Sequence, residues 1–129
     1  MVIDVDQFKT YNDSHGHDVG DAVLRQVAEI LQQFVRREDL AVRLGGEELA
    51  LLVKAPGEYS LAEIGERLRQ AVASAAWGDI ADSLSVTLSI GAASLAEVLG
   101  ESDPAAAVYR LADRRLYAAK HAGRDRAMG

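Results

Sequence analysis

The sequence predicts an α+β domain, one mixed or antiparallel sheet with helices packed on one face. Three observations carry this. Apolar runs of strand length, at 1–5, 40–44 and 49–54, alternate with stretches whose apolar residues recur at steps of three and four. A further run, Leu84, Val86, Leu88 and Ile90, alternates with Ser85, Thr87 and Ser89, the period of a half-buried strand. At 129 residues, 49% of them hydrophobic, the chain can build one core but not two.

The first strand begins at once, as though the chain were cut at a domain edge. A long amphipathic helix follows, with Val23, Val27, Leu31 and Phe34 on one face. Next comes a hairpin whose turn contains Gly45-Gly46, and its second strand ends at Pro56-Gly57. Ser60 and Glu63, in capping-box spacing, open a second helix that runs through Leu61, Ile64, Leu68 and Val72. The alternating strand at 84–90 follows. Asp103-Pro104 then starts a last helix, Asp as cap and Pro in the first turn. Its stripe is Val108, Leu111, Ala112, Leu116 and Ala119, and Gly123 can end it. Strand, helix, strand, strand, helix, strand is the split βαβ, ferredoxin-like order, here with one additional C-terminal helix.

Composition excludes several classes of function. Without cysteine there is neither a disulfide framework nor a thiolate metal site, and three histidines do not make a His-rich one. The net charge of −6 argues against binding a nucleic-acid polymer. No apolar run approaches the roughly 20 residues of a membrane span, and a sequence that opens directly on a strand leads one to expect no secretory signal.

Carboxylates dominate the candidate chemistry. Asp4 and Asp6, two apart on a strand, share a face. In the ferredoxin-like order the first strand and the hairpin can be neighbours, which brings Asp4 near Glu47. Glu47 and Glu48 at the hairpin tip are hard oxygen ligands suited to a divalent ion holding a phosphate. The same four acids also suit a solvated strand end and a solvated turn.

The set of motifs resembles the GGDEF-type diguanylate cyclase domain, which joins two GTP molecules into cyclic di-GMP. The matching segments are Ile3-Asp4-Val5-Asp6-Gln7-Phe8-Lys9, Asn12-Asp13, Gly16-His17-Asp18-Val19-Gly20-Asp21 and Arg43-Leu44-Gly45-Gly46-Glu47-Glu48-Leu49. Then come Leu88-Ser89-Ile90-Gly91, Ala112-Asp113 and Leu116-Tyr117-Ala118-Ala119-Lys120-His121-Ala122-Gly123-Arg124. The resemblance covers almost the whole chain, as a single catalytic domain over 1–129.

The resemblance implies Mg²⁺, or Mn²⁺ in its place, held by Asp4, Glu47 and the Val5 carbonyl. Glu47 would also accept the proton of the attacking 3′-OH, with Glu48 as a supporting acid. The amides of Phe8 and Lys9 would cradle phosphate, and the Lys9 side chain would neutralise charge in the transition state. Lys9 reads equally as a surface lysine. Asn12 and Asp21 would recognise guanine, Asp21 by accepting from N1–H and N2–H. Both also fit local roles, Asn12 in a turn and Asp21 near a helix start. Lys120 and Arg124, four apart on a helix, would hold the outer phosphates, although cations also stabilise a last helical turn without a ligand.

Arg36, Asp39 and Arg67 would form an inhibitory site for the product. Arg36 and Asp39 also fit a ligand-free pair at a helix end. The implied partners are GTP, cyclic di-GMP, a second copy of the domain and a sensory domain in a longer parent. The implied setting is the cytoplasm, with no membrane contact by this segment even if the parent is membrane-anchored. The family's preceding helix does not fall within these residues, so a catalytic fragment of a longer protein is expected. Departures from the pattern are Leu44 for Tyr, Leu49 for Phe and Asp125 for Asn. Two rival readings use fewer of these residues: a silent cyclic di-GMP receptor built on Arg36 and Asp39, and a GTP-binding regulatory module.

Overall fold

In the computed structural model, which describes residues 1–54 and 56–129, five strands form one sheet in the order β2-β3-β1-β4-β5. The strands are β1 (Val2–Val5), β2 (Leu40–Gly45), β3 (Glu48–Leu52), β4 (Leu88–Gly91) and β5 (Arg126–Met128). The helices are α1 (Phe8–His15), α2 (His17–Gln32), α3 (Leu61–Ala73) and α4 (Pro104–His121). β1 pairs antiparallel with both β3 and β4, and β2 with β3, which is the expected ferredoxin-like arrangement. β5 adds a parallel edge strand beside β4.

Local signals behave as their chemistry requires. The Ser60 hydroxyl accepts the Glu63 amide while the Glu63 carboxylate accepts the Ser60 amide, a complete capping box. Asp103 caps α4 through the Ala106 amide, with Pro104 in the first turn. Burial of side chains such as Ile3, Leu51, Leu68, Leu88 and Ile90 stabilises the fold by about 1.5–3 kcal/mol each.

Four expectations change. Helices cover both faces of the sheet, not one. Ile3, Val5 and Ile90 join the core beneath α2 and α3, whereas Val2 packs with Ala112 and Leu116 of α4 on the opposite face. Gly91 makes that close approach possible, since a Cβ there would collide with the Ala112 carbonyl and the Leu116 amide of α4.

The alternating run is a strand only from Leu88. Residues 84–87 lie alongside the point where β1 has ended, although Leu84 and Val86 still reach the core. The helical segment after β1 is two helices, broken at Gly16, whose φ of 88° favours glycine. The hairpin strands shift slightly, β3 starting at Glu48 and ending at Leu52.

Candidate functional site

β1 is the central strand, and its end collects the predicted acids. Asp4 lies between Glu48 of β3 and Ser89 of β4 in the strand register, so these three side chains share the α4 face. Glu48 is therefore directly opposite Asp4, and Glu47 sits one residue further on at the tip. The tip is tied to β1 by the Val5 amide, which donates to the Glu47 carbonyl at 3.2 Å.

Asp4 is 7% exposed, and Lys120 of α4 donates to it at 2.8 Å. Burial pushes the Asp4 carboxyl above the usual carboxylate range; Lys120 opposes this, while Glu47 and Asp6 add to it. Burial likewise raises Glu48, reinforced by Asp113 of α4 and by Asp4. The site is thus an acid-rich strand end answered by Lys120 from α4.

Asp6 has a different part. Although it shares the face of Asp4, its buried carboxylate accepts from Thr87 Oγ1 at 2.7 Å, Ser89 Oγ at 2.6 Å and the Asp125 amide at 3.0 Å. It holds β1, the lead-in to β4 and the segment after α4 together, and is neither solvated nor aimed outward.

Gln7, with φ 55°, turns the chain into α1. Thr10 and Tyr11 donate back to the Gln7 carbonyl, so Phe8 and Lys9 are the first helical positions, where amides have no intrahelical acceptor. Phe8 packs on the core and the Lys9 side chain is exposed. Asn12 lies against Gly20, where any Cβ would collide with its amide oxygen, and that buried Oδ1 has no hydrogen-bond partner among the described residues. Gly20 precedes Asp21, which lines a cleft of about 380 Å³ between α2 and the hairpin with Leu24, Arg25, Arg43 and Leu49.

The profile of the family described as "Diguanylate cyclase, GGDEF domain" matches residues 1–126. The chain belongs to the GGDEF family. The response regulator PleD of Caulobacter vibrioides is 38% identical over 131 residues, covering 100% of this chain. This GGDEF domain spans 28% of PleD's length, and 34% of that of the protein YhcK of Bacillus subtilis, to which it is 41% identical over 127 residues covering 98% of the chain. Among solved structures, the active GGEEF domain of a diguanylate cyclase from Vibrio cholerae superposes with a TM-score of 0.82 at 31% identity, over 98% of this chain and 78% of that one. The GGDEF domain of DgcB from Caulobacter crescentus, in complex with c-di-GMP, gives 0.79 at 33%, over 98% and 74%.

Two placements in this GGDEF domain differ from the sequence reading. Arg124 does not share a helix face with Lys120, because α4 ends at His121 and Arg124 stands in the following turn with φ 62°. Lys120 is engaged by Asp4, so the cation expected on phosphate and the acid expected on metal form one ion pair.

Arg36, Asp39 and Arg67 do come together, lining a second cleft of about 290 Å³ with Tyr59 and Phe34. The Arg67 guanidinium lies 4.7 Å from the centre of the Tyr59 ring. Asp39 is used structurally: its carboxylate accepts the amides of Arg36 at 3.0 Å and Lys54 at 3.1 Å.

Among the described residues no three His, Cys, Asp or Glu side chains gather as a ligand cluster. Nor, among them, is any helix long and apolar enough to cross a membrane. Thr87, Ser89 and Arg69 were not anticipated as part of the site. The signals in the sequence are Ser89 within the Leu88–Gly91 motif and Asp125 as a departure from the family pattern.

Proposed function

We propose that this domain is a diguanylate cyclase, condensing two GTP into cyclic di-GMP and two pyrophosphates where two copies meet. One observation supports this above the rest. A buried carboxylate, Asp4, lies at the end of the central strand, faced by Lys120 and flanked by Glu47 and Glu48.

The donor set suits a hard divalent ion, Mg²⁺ or Mn²⁺, which Asp4, Glu47 and the Val5 carbonyl would hold. Such an ion, when bound, neutralises phosphate charge and polarises the reacting phosphorus. The chain's own groups do the positioning. The Phe8 and Lys9 amides and the Lys9, Lys120 and Arg124 side chains hold the phosphates. Asp21 accepts from the guanine N1–H and N2–H, and the unpaired Asn12 Oδ1 suits a donor on the base.

Glu47 takes the proton from the 3′-OH of the facing nucleotide as that oxygen bonds to the α-phosphorus, with Glu48 supporting it. The bond from the α-phosphorus to the pyrophosphate oxygen breaks, and the step repeats with the roles exchanged. Most of the acceleration comes from alignment and charge neutralisation.

The cleft of Arg36, Asp39 and Arg67 supports a second assignment, an inhibitory site for the product, in keeping with the complex described for the DgcB domain. Alone it would suit a receptor, but the Asp4–Lys120 pair beside Glu47 and Glu48 favours the enzyme. GTP places the domain in the cytoplasm, regulated by a sensory domain of a longer parent. Chromatography of GTP incubated with Mg²⁺ and concentrated protein tests the proposal: wild type forms cyclic di-GMP and Glu47→Gln does not. If neither forms it while cyclic di-GMP binds, the receptor reading replaces this one.

A further inference from the structure

We infer that Arg69 and Asp125, anchored on Asp6, tether the turn after α4 and thereby present Arg124 to the nucleotide's phosphates. The inference rests on the phosphate role given to Arg124 above. Gly123, Arg124 and Asp125 have φ of 112°, 62° and 43° in succession. Two non-glycine residues in the left-handed region are costly and persist only where the surroundings determine them.

Here the surroundings do so from two sides. On the sheet side, the Asp125 amide donates to Asp6, itself fixed by Thr87 and Ser89. On the helix side, the Arg69 guanidinium donates to Asp125 Oδ1 at 2.6 Å. Arg69 is aligned beforehand, since its Nε and Nη2 fork onto Glu66 at 2.8 and 2.6 Å and its side chain is only 17% exposed. The turn is therefore pinned between β1 and α3, with the Arg124 amide also bonded to the Ala119 carbonyl at 3.0 Å. Asp125, which stands where the family usually has Asn, gains an ion pair by the change. Arg69 and Asp125 are positioning residues acting through Arg124.

The test is a steady-state double-mutant cycle with GTP and Mg²⁺. Asp125→Ala and Arg69→Lys, which keeps the charge but loses the fork, should each raise KM about fivefold with kcat within about twofold. Asp125→Asn, which keeps an oxygen for Arg69, should recover most of the loss. In an Arg124→Ala background Asp125→Ala should add less than about twofold. An unchanged KM in Asp125→Ala, or an equal rise with and without Arg124, would overturn the tether. A melting curve on each variant separates loss of fold from loss of position. GTP binding by wild type, measured calorimetrically, separates the two levels: no binding defeats the nucleotide reading beneath the inference, and binding unaffected by Asp125→Ala defeats the tether alone.

Discussion

Lys120 reaches Asp4 from the last turn of α4, and the partners differ in burial: the Asp4 side chain is 10% exposed and that of Lys120 33%. Removing the cation leaves a carboxylate the interior already disfavours. Lys120→Met should therefore destabilise the domain by about 2 kcal/mol in denaturant titration, whereas Asp4→Asn, which removes the charge as well, should cost less stability while abolishing turnover. The proposed base site makes its own residue-level prediction. ITP lacks the 2-amino group of GTP and would leave a donor missing opposite Asp21 and Asn12. Wild type should prefer GTP by about tenfold in kcat/KM, and Asp21→Ala should shrink that preference. The gathering of Asp4 and Glu48 at the end of β1 could be picked out from residue type and motif order. The Asp6 network could not, because its partners lie 81, 83 and 119 residues away.

Elements hold these residues through a few close approaches. α4 reaches the sheet over Gly91, where even a methyl group meets helix backbone. Gly91→Ala should cost about 2–3 kcal/mol, lower the melting temperature by several degrees, and weaken GTP binding because α4 carries Lys120. Further along, α4 is braced by Arg115, which grips Glu97 at 2.7 and 3.0 Å.

The Arg115 fork, helped by the Ser94 amide, holds the Glu97 carboxyl down to about 2 from its usual 4.5. Because the folded value lies below the unfolded one, this stabilisation is complete above about pH 4.5 and fades as pH falls towards 2. The melting-temperature gap between wild type and Glu97→Gln should close over that interval. The gap should be modest at neutral pH, about 0.5–1 kcal/mol, since both partners are partly solvated. Helix starts such as Ser60–Glu63 and Asp103–Pro104 were legible because caps are local, spaced by three residues or fewer. β5 was not, being three residues long and defined only by its parallel partner β4. Placement of α4 on the opposite face was likewise hidden, since a stripe shows that a helix is buried but not where.

At the scale of the whole molecule, the two clefts are separate: one runs between α2 and the β2–β3 hairpin, the other between the segment after α2 and α3. If the second takes the product, cyclic di-GMP should inhibit wild type and Arg67→Ala should be inhibited at least tenfold more weakly with its uninhibited rate unchanged. Under the proposed reaction one domain supplies half of a reacting pair, so specific activity should climb with protein concentration and plateau as copies associate. The ferredoxin-like order was legible from alternating strand and helix periods. The union of the end of β1, α4 and the hairpin tip at one site needed the fold.

The most direct measurement is product formation from GTP and Mg²⁺ at high protein concentration, comparing wild type with Glu47→Gln. Cyclic di-GMP from wild type and at least a hundredfold less from Glu47→Gln is the expected result. Equal product from both proteins, or none from a wild type shown to be folded and associated, would contradict it.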